Sequence, residues 1–253
     1  MTGVLPIALE DATKALQVFL HSGKEYICLM QLHGNIPEEK ILNILKEFTG
    51  EIYQKPPLRA SVKREIRKRK IYNIEVLEIE NHKVLFKVSC QAGTYIRKLC
   101  FDIGEALKVG AHMKELRRVR TGPFTENEKI FTLHQVFEAV MEYKNLGKEE
   151  KLRKVIRPIE ECFEYIPKIY IKDSAVDAIC HGAYLTVPGI AKLDSNIQPK
   201  QVVAIFTLKN EAVALGNALL STEQILELNK GLAIETKRVI MHPGTYPKLW
   251  KSK

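Results

Sequence analysis

No run of apolar residues in this 253-residue chain reaches the roughly 18 that a membrane-crossing helix needs. The longest are short stretches such as Val202–Phe206, and a membrane-spanning protein is excluded. The N-terminus, Met1-Thr-Gly-Val-Leu-Pro6, has no basic stretch and meets Glu10 and Asp11 too early for a secretory leader. Five scattered cysteines, Cys28, Cys90, Cys100, Cys162 and Cys180, form no C-x-x-C pair. Reduced, buried thiols in a cytoplasmic protein are expected rather than a disulfide or metal framework. There is no P-loop, G-x-G-x-x-G, G-x-S-x-G or H-E-x-x-H, so the strongest motif routes to nucleotide-driven, hydride, esterase and zinc-protease chemistry are closed. The seven histidines are isolated, and no ligand cluster calls for a metal.

What the chain does have is a core and a localised positive charge. Hydrophobic residues at 45% and charged residues at 27% are ordinary for a globular protein. Lys and Arg number 39 against 30 Asp and Glu, a net +9. Residues 59–122 carry 16 basic and 7 acidic side chains and so account for the whole excess. Its densest part runs from Arg59 through Lys63, Arg64, Arg67, Lys68, Arg69 and Lys70 to Tyr72. A polyanion is the expected partner. Val62, Ile66 and Ile71 interrupt the run and predict a segment folded against something rather than a free tail.

Apolar spacing predicts a helix over 7–20, with Phe19 on its stripe, and a strand over 26–33. A helix follows Pro37, with Ile41, Ile44, Leu45 and Phe48 on one side. A hairpin is expected from Ile74 to Val88, turning at Asn81-His82, then a helix over 94–108 that leaves Arg97 off its apolar stripe. Thr132 can cap a helix carrying Leu133, Val136, Phe137 and Val140, and Lys148–Arg157 reads as a helical connector. From about Ile166 the pattern changes to short strands around helices expected to be capped by Asp173 or Ser174 and by Thr222. The expected division is therefore 1–165 and 166–253, with a small β-barrel in the second part.

Three blocks look specific: Thr2-Gly-Val-Leu-Pro-Ile-Ala-Leu-Glu-Asp-Ala-Thr-Lys14, Pro56-Pro-Leu-Arg-Ala-Ser-Val-Lys63 running to Tyr72, and Ala92-Gly-Thr-Tyr-Ile-Arg97 continuing through Gly110-Ala-His-Met to Leu116-Arg117-Arg118. With Thr121-Gly-Pro-Phe124 they resemble the TruB-type pseudouridine synthases, most nearly the dyskerin-like branch of H/ACA guide-RNA particles. Gly182-Ala-Tyr-Leu-Thr-Val-Pro-Gly189 is similar to that family's PUA domain. The resemblance spans Thr2 to about Arg238 and implies an α+β fold: a mixed-sheet catalytic domain followed by a β-barrel PUA domain.

By that resemblance a uracil is flipped into a pocket, cut from its sugar, turned and rejoined through carbon, with no cofactor. Tyr72 matches the family's active-site tyrosine, Arg97 the arginine that holds the catalytic aspartate ionised, and Leu116 an apolar pocket wall, although a plain core leucine would read the same. Tyr95 would support them from behind. Lys63, Arg64, Arg67, Arg69, Arg117 and Arg118 would meet phosphates, and Gly182, Ala183, Leu185, Pro188 and Gly189 would let backbone approach guide RNA. The implied partners are guide and substrate RNA, a zinc-ribbon-like subunit, a glycine-arginine-type subunit and a kink-turn-binding protein. The family's Leu-Asp-Pro element, which supplies the nucleophile just before Thr-Gly-Val-Leu, does not occur in this sequence. Three readings follow: a synthase whose nucleophile lies upstream of Met1, an RNA-binding scaffold without the chemistry, or a stand-alone transfer-RNA enzyme.

Overall fold

A computed structural model describes residues 1–16, 18, 22–57, 62–127 and 130–249. Two compact units emerge, one of Met1–Pro6 with Phe19–Ile130, the other of Ile7–Val18 with Phe131–Lys253.

The first unit is a seven-stranded mixed sheet with helices on one face. Its strands are β1 (Thr2–Gly3), β2 (Lys24–Leu32), β3 (Gly50–Gln54), β4 (Arg67–Glu80), β5 (Lys83–Cys90), β6 (Ala111–Thr121) and β7 (Phe124–Thr125). They lie in the order β1-β6-β2-β5-β4-β3, with β7 on β6. Only the β1–β6 pair is parallel; β2, β3, β4, β5 and β6 pair antiparallel. Alternation along β2 sends Cys28, Met30 and Leu32 inward, where they meet Phe86 and Val88 of β5 and the apolar stripes of α1 (Glu38–Glu47) and α2 (Ile96–Ala106). Each such large side chain, fully buried, contributes about 1.5–3 kcal/mol. The sulfurs of Cys28 and Cys100 approach to 3.5 Å, free thiols in contact across the strand–helix interface.

The apolar pattern did not reveal β3 and β6, and began the β4 hairpin too late. The basic run is itself strand: Arg67, Lys68, Arg69 and Lys70 pair with Gln54, Tyr53, Ile52 and Glu51. Dense charge hides a strand from a hydrophobic pattern: these four residues pair with the edge strand β3 and extend past the end of β5, so both faces can carry solvated lysine and arginine stems. Arg59 lies outside the described residues.

In the second unit, β8 (Lys168–Ile171), β9 (Leu185–Thr186), β10 (Ile190–Leu193), β11 (Val202–Thr207), β12 (Ala212–Ala218) and β13 (Leu232–Val239) form a six-stranded, near-closed barrel sheet. Its interior holds Ile169, Ile171, Val203, Ile205, Val213 and Ile234, all at or near zero exposure. α3 (Leu133–Leu146) and α4 (Glu150–Val155) precede it; α5 (Asp173–Cys180) and α6 (Thr222–Glu227) lie within it.

Several expectations need correction. Of the helix expected over 7–20, the first part is not helical and Glu10–Ala15 is a 3-10 helix, with Ile7 and Leu9 exposed, while Leu16 and Val18 are α-helical; Phe19 lies outside the described residues. Thr132 does cap α3, in a capping box with Gln135, yet the predicted stripe is not core: Leu133 is 77% and Phe137 64% exposed. The cap of α5 is Lys172, without a side-chain bond. Ser221, not Thr222, caps α6 with Gln224. The Thr222 hydroxyl instead accepts from the Ile197 amide and donates to the Asp194 carbonyl.

Candidate functional site

One end of the first sheet gathers side chains from β1, β2, β6 and α2. Cys28 pairs with Leu116 and Tyr26 with Arg118 across β2 and β6, so Tyr26, Cys28, Leu116 and Arg118 share the helix-covered face. Leu116 is 8% exposed and part of the core cluster, and Tyr26 packs against that cluster. β5 ends at Cys90, opposite Lys24 of β2, and α2 begins only a turn later at Ile96. Arg97 therefore sits in the first turn of α2 at the Tyr26 end of the sheet, one turn before the cysteine that touches Cys28. Its side chain is exposed, with no hydrogen-bond or ion-pair partner among the described residues.

Tyr72 is separated from this set. Its neighbour Ile71 is fully buried on the core face, so Tyr72 in the β4 bulge points the other way, 48% exposed. Its ring lies over Gly23. The aromatic side chain that shares a face with Leu116 is Tyr26. Burial pushes its phenol above the ordinary value, opposed by the positive charge of the Arg118 guanidinium. The alternation Tyr26, Cys28, Met30, Leu32 was the available sequence signal.

Arg118 is tied into the fold: its Nε donates to the Val4 carbonyl at 2.7 Å, and the Val4 amide donates to the Arg118 carbonyl at 2.8 Å. Gly3 makes this approach possible. Its φ is +110°, and a Cβ there would lie 2.1 Å from the Arg118 carbonyl oxygen. Arg117 is ion-paired with Glu126 at 2.6 Å. Arg69 donates to the carbonyls of Gly93 and Lys68, at 3.2 and 2.8 Å. Lys63 and Arg64 are exposed; Arg64 and Arg67 make only long bonds, 3.4 Å, to the Pro56 and Lys63 carbonyls. Tyr95 is the cap residue of α2, and its backbone is held on both sides by the Gln54 amide. Burial, eased by the Thr94 hydroxyl, pushes the Cys90 thiol up to about 11, so it is no nucleophile at neutral pH.

The second unit holds a cavity of about 310 Å³, lined by Ala175 and Ala178 of α5 and by Tyr184, Leu185, Pro188 and Gly189. Gly182 turns the chain out of α5 at φ +84°. The Ala183 carbonyl accepts from Thr236, and Lys172 donates to the Pro188 carbonyl. Tyr184 donates to Glu235, which also binds Lys237. Among the described residues no group of three or more His, Cys, Asp or Glu could hold a metal ion.

Comparison with known proteins matches residues 97–164 to the tRNA pseudouridylate synthase B C-terminal domain, 167–240 to the PUA domain and 5–116 to the Pus10 C-terminal family. A probable tRNA pseudouridine synthase B of Methanopyrus kandleri is 58% identical over 99% of this chain and 74% of its own length. One from Pyrococcus furiosus is 54% identical over 100% and 74%. The chain belongs to the TruB-type pseudouridine synthase family, in its archaeal H/ACA branch. The crystal structure of a Cbf5-Nop10-Gar1 complex superposes at TM-score 0.92 and 55% identity, over 98% of this chain and 75% of that one. The structure of an H/ACA RNP bound to a substrate RNA containing 2'-deoxyuridine gives 0.90 and 53%, over 98% and 75%. The likeness thus runs through both units, and the pseudouridine synthase fold with its PUA barrel is the architecture the resemblance implied.

Proposed function

We propose that residues 1–165 form the uracil pocket, and 166–253 the PUA domain, of a guide-RNA-directed pseudouridine synthase acting on ribosomal or transfer RNA. The observation that carries this reading is the match along 98% of the chain to the protein of an H/ACA particle bound to substrate RNA. In this reading the flipped uracil lies between Tyr26, which takes the role first given to Tyr72, and Leu116. The glycosidic N1 bond breaks, the ring turns, and C5 bonds to the sugar as its proton leaves. Arg97 keeps the nucleophilic carboxylate ionised and aimed. That carboxylate is absent from the 253 residues as a Leu-Asp-Pro element. The parallel register sets Thr2 opposite Arg117, so the backbone before Thr2 runs beside Leu116, where an upstream aspartate would meet the base.

Lys63, Arg64 and Arg67 serve the phosphates of the substrate strand, and Arg69, Arg117 and Arg118 chiefly order the site around them. The cavity at Leu185, Pro188 and Gly189 takes an unstacked guide base. Proteins of the kind named in those complexes, Nop10 and Gar1, are the proposed protein partners, together with a kink-turn-binding protein. The cytoplasm is the proposed compartment; no described helix is long and apolar enough to cross a membrane.

The test is pseudouridine formation with guide and substrate RNA, comparing the 253 residues with a version carrying a Leu-Asp-Pro segment before Thr2. RNA binding by both and turnover only by the second is expected. Turnover by the first would relocate the nucleophile. The relatives' names favour a second reading, the transfer-RNA enzyme, and turnover without guide would establish it. Binding without turnover by either leaves the RNA scaffold.

A further inference from the structure

Gln54, the last residue of β3, is a buried polar side chain, 2% exposed, in a position where an apolar residue would cost nothing in solvation. Both ends of its amide are engaged. Oε1 accepts from the Tyr95 amide at 3.0 Å and Nε2 donates to the Tyr95 carbonyl at 3.2 Å. Tyr95 is the residue from which α2 starts, and no side chain caps that helix. Two residues later comes Arg97.

The turn before Tyr95 is held at two more points by the same hairpin. The Gln91 side chain accepts from the Lys70 amide, and the Gln91 amide donates to the Lys70 carbonyl. The Arg69 guanidinium binds the Gly93 carbonyl, against a glycine at φ +79° whose Cβ would sit 3.1 Å from the Arg69 Nη2. The 91–95 turn is therefore fastened to β3 and to β4, whose first residues belong to the basic run. Gln54 makes the fastening nearest Arg97.

We propose that Gln54 is a positioning residue for Arg97. It fixes the direction in which α2 leaves the turn, and so where the guanidinium meets the catalytic carboxylate; this rests on the role given to Arg97 above. Through β3 and β4 it also ties that placement to the strands that receive the substrate phosphates. A displacement of about 1 Å at a reacting group costs on the order of 100-fold in rate.

The test is a double-substitution cycle in the native protein assembled with guide RNA, using Gln54→Met, which keeps length but no amide, Arg97→Lys and the pair. Single-turnover pseudouridine formation and RNA affinity are read in each. Gln54→Met is expected to slow turnover by about 10- to 100-fold, leave affinity within about twofold, and have less than about a twofold effect when Arg97 is already lysine. A merely structural glutamine would slow both backgrounds equally, and that result, or no slowing, overturns the proposal. If the native protein makes no pseudouridine at all, the function above fails and Gln54 is judged by amide exchange. Exchange about 10-fold faster at Tyr95–Leu99, with α1 unmoved, supports positioning. Unchanged exchange there refutes it.

Discussion

The two units build their proposed sites in opposite ways. In the barrel, the cavity comes from one stretch of chain: Ala175 and Ala178 on α5, then Tyr184, Leu185, Pro188 and Gly189 just beyond it. In the mixed sheet, Gly3, Tyr26, Leu116 and Arg118 come from three strands and meet only through register, and Arg97 comes from a helix that starts at the same end. A local site survives small disturbances elsewhere; an assembled one depends on every joint that brings its parts together.

Glycine substitution should show the contrast most strongly. At Gly3 an added methyl would strike the Arg118 carbonyl oxygen at 2.1 Å, and the left-handed backbone compounds the conflict. Gly3→Ala should detach β1 from β6 and lower pseudouridine formation by about 100-fold or more in the active particle. At Gly189 the same methyl would meet side-chain atoms, Leu185 Cδ1 at 3.1 Å and Ala175 Cβ at 3.2 Å. Gly189→Ala should fold normally and weaken only the binding of guide RNA. Equal losses of turnover from both would erase the distinction.

Leu116 tests whether the pocket wall is also core. Leu116→Ala removes a nearly buried side chain from the cluster that includes Cys28 and Ile96, and should cost about 2–5 kcal/mol in urea unfolding as well as slowing turnover. A rate loss with unchanged stability would make it a wall only. Charge reversal at Lys63, Arg64 and Arg67 should act on binding rather than folding. For every phosphate that a variant no longer neutralises, the slope of log affinity against log salt should flatten by about 0.7–0.9. An unchanged slope would remove these residues from the interface.

The same contrast explains what the sequence could reveal. The Gly182–Gly189 segment was legible because the residues that line the cavity are contiguous. The Arg97 helix was legible because a 3.6-residue period survives in Leu99, Cys100 and Ile103. Tyr26, the tyrosine proposed above, was missed because its alternation with Cys28, Met30 and Leu32 marks a core strand and not a site; Arg118 and Leu116 lie some ninety residues away and meet it only through β2–β6 register. Tyr72 was singled out by its flanking residues, which do not show that Ile71 takes the core face and leaves Tyr72 on the other, 48% exposed. The exposed face of α3 shows the converse: helical spacing tells which residues share a face, not whether that face is covered.

The smallest expected effect concerns how the barrel holds its C-terminal segment. The Tyr246 hydroxyl donates to Glu211 Oε2 at 2.6 Å and the Thr207 hydroxyl to the same oxygen at 2.8 Å. These bonds, Tyr246 first, hold the Glu211 carboxyl below its ordinary 4.5. The folded chain therefore binds fewer protons than the unfolded chain just below that value. The stabilisation is fully present above pH 4.5 and is lost as pH falls through the lowered folded value. Tyr246→Phe keeps the apolar packing of the ring in the barrel core and removes the hydroxyl alone. At pH 7 it should cost about 1 kcal/mol, since the carboxylate is largely solvated. At pH 3 the two proteins should differ less. Urea unfolding of both across that range decides it: a difference that stays constant with pH would mean that the hydroxyl acts through something other than the Glu211 carboxylate.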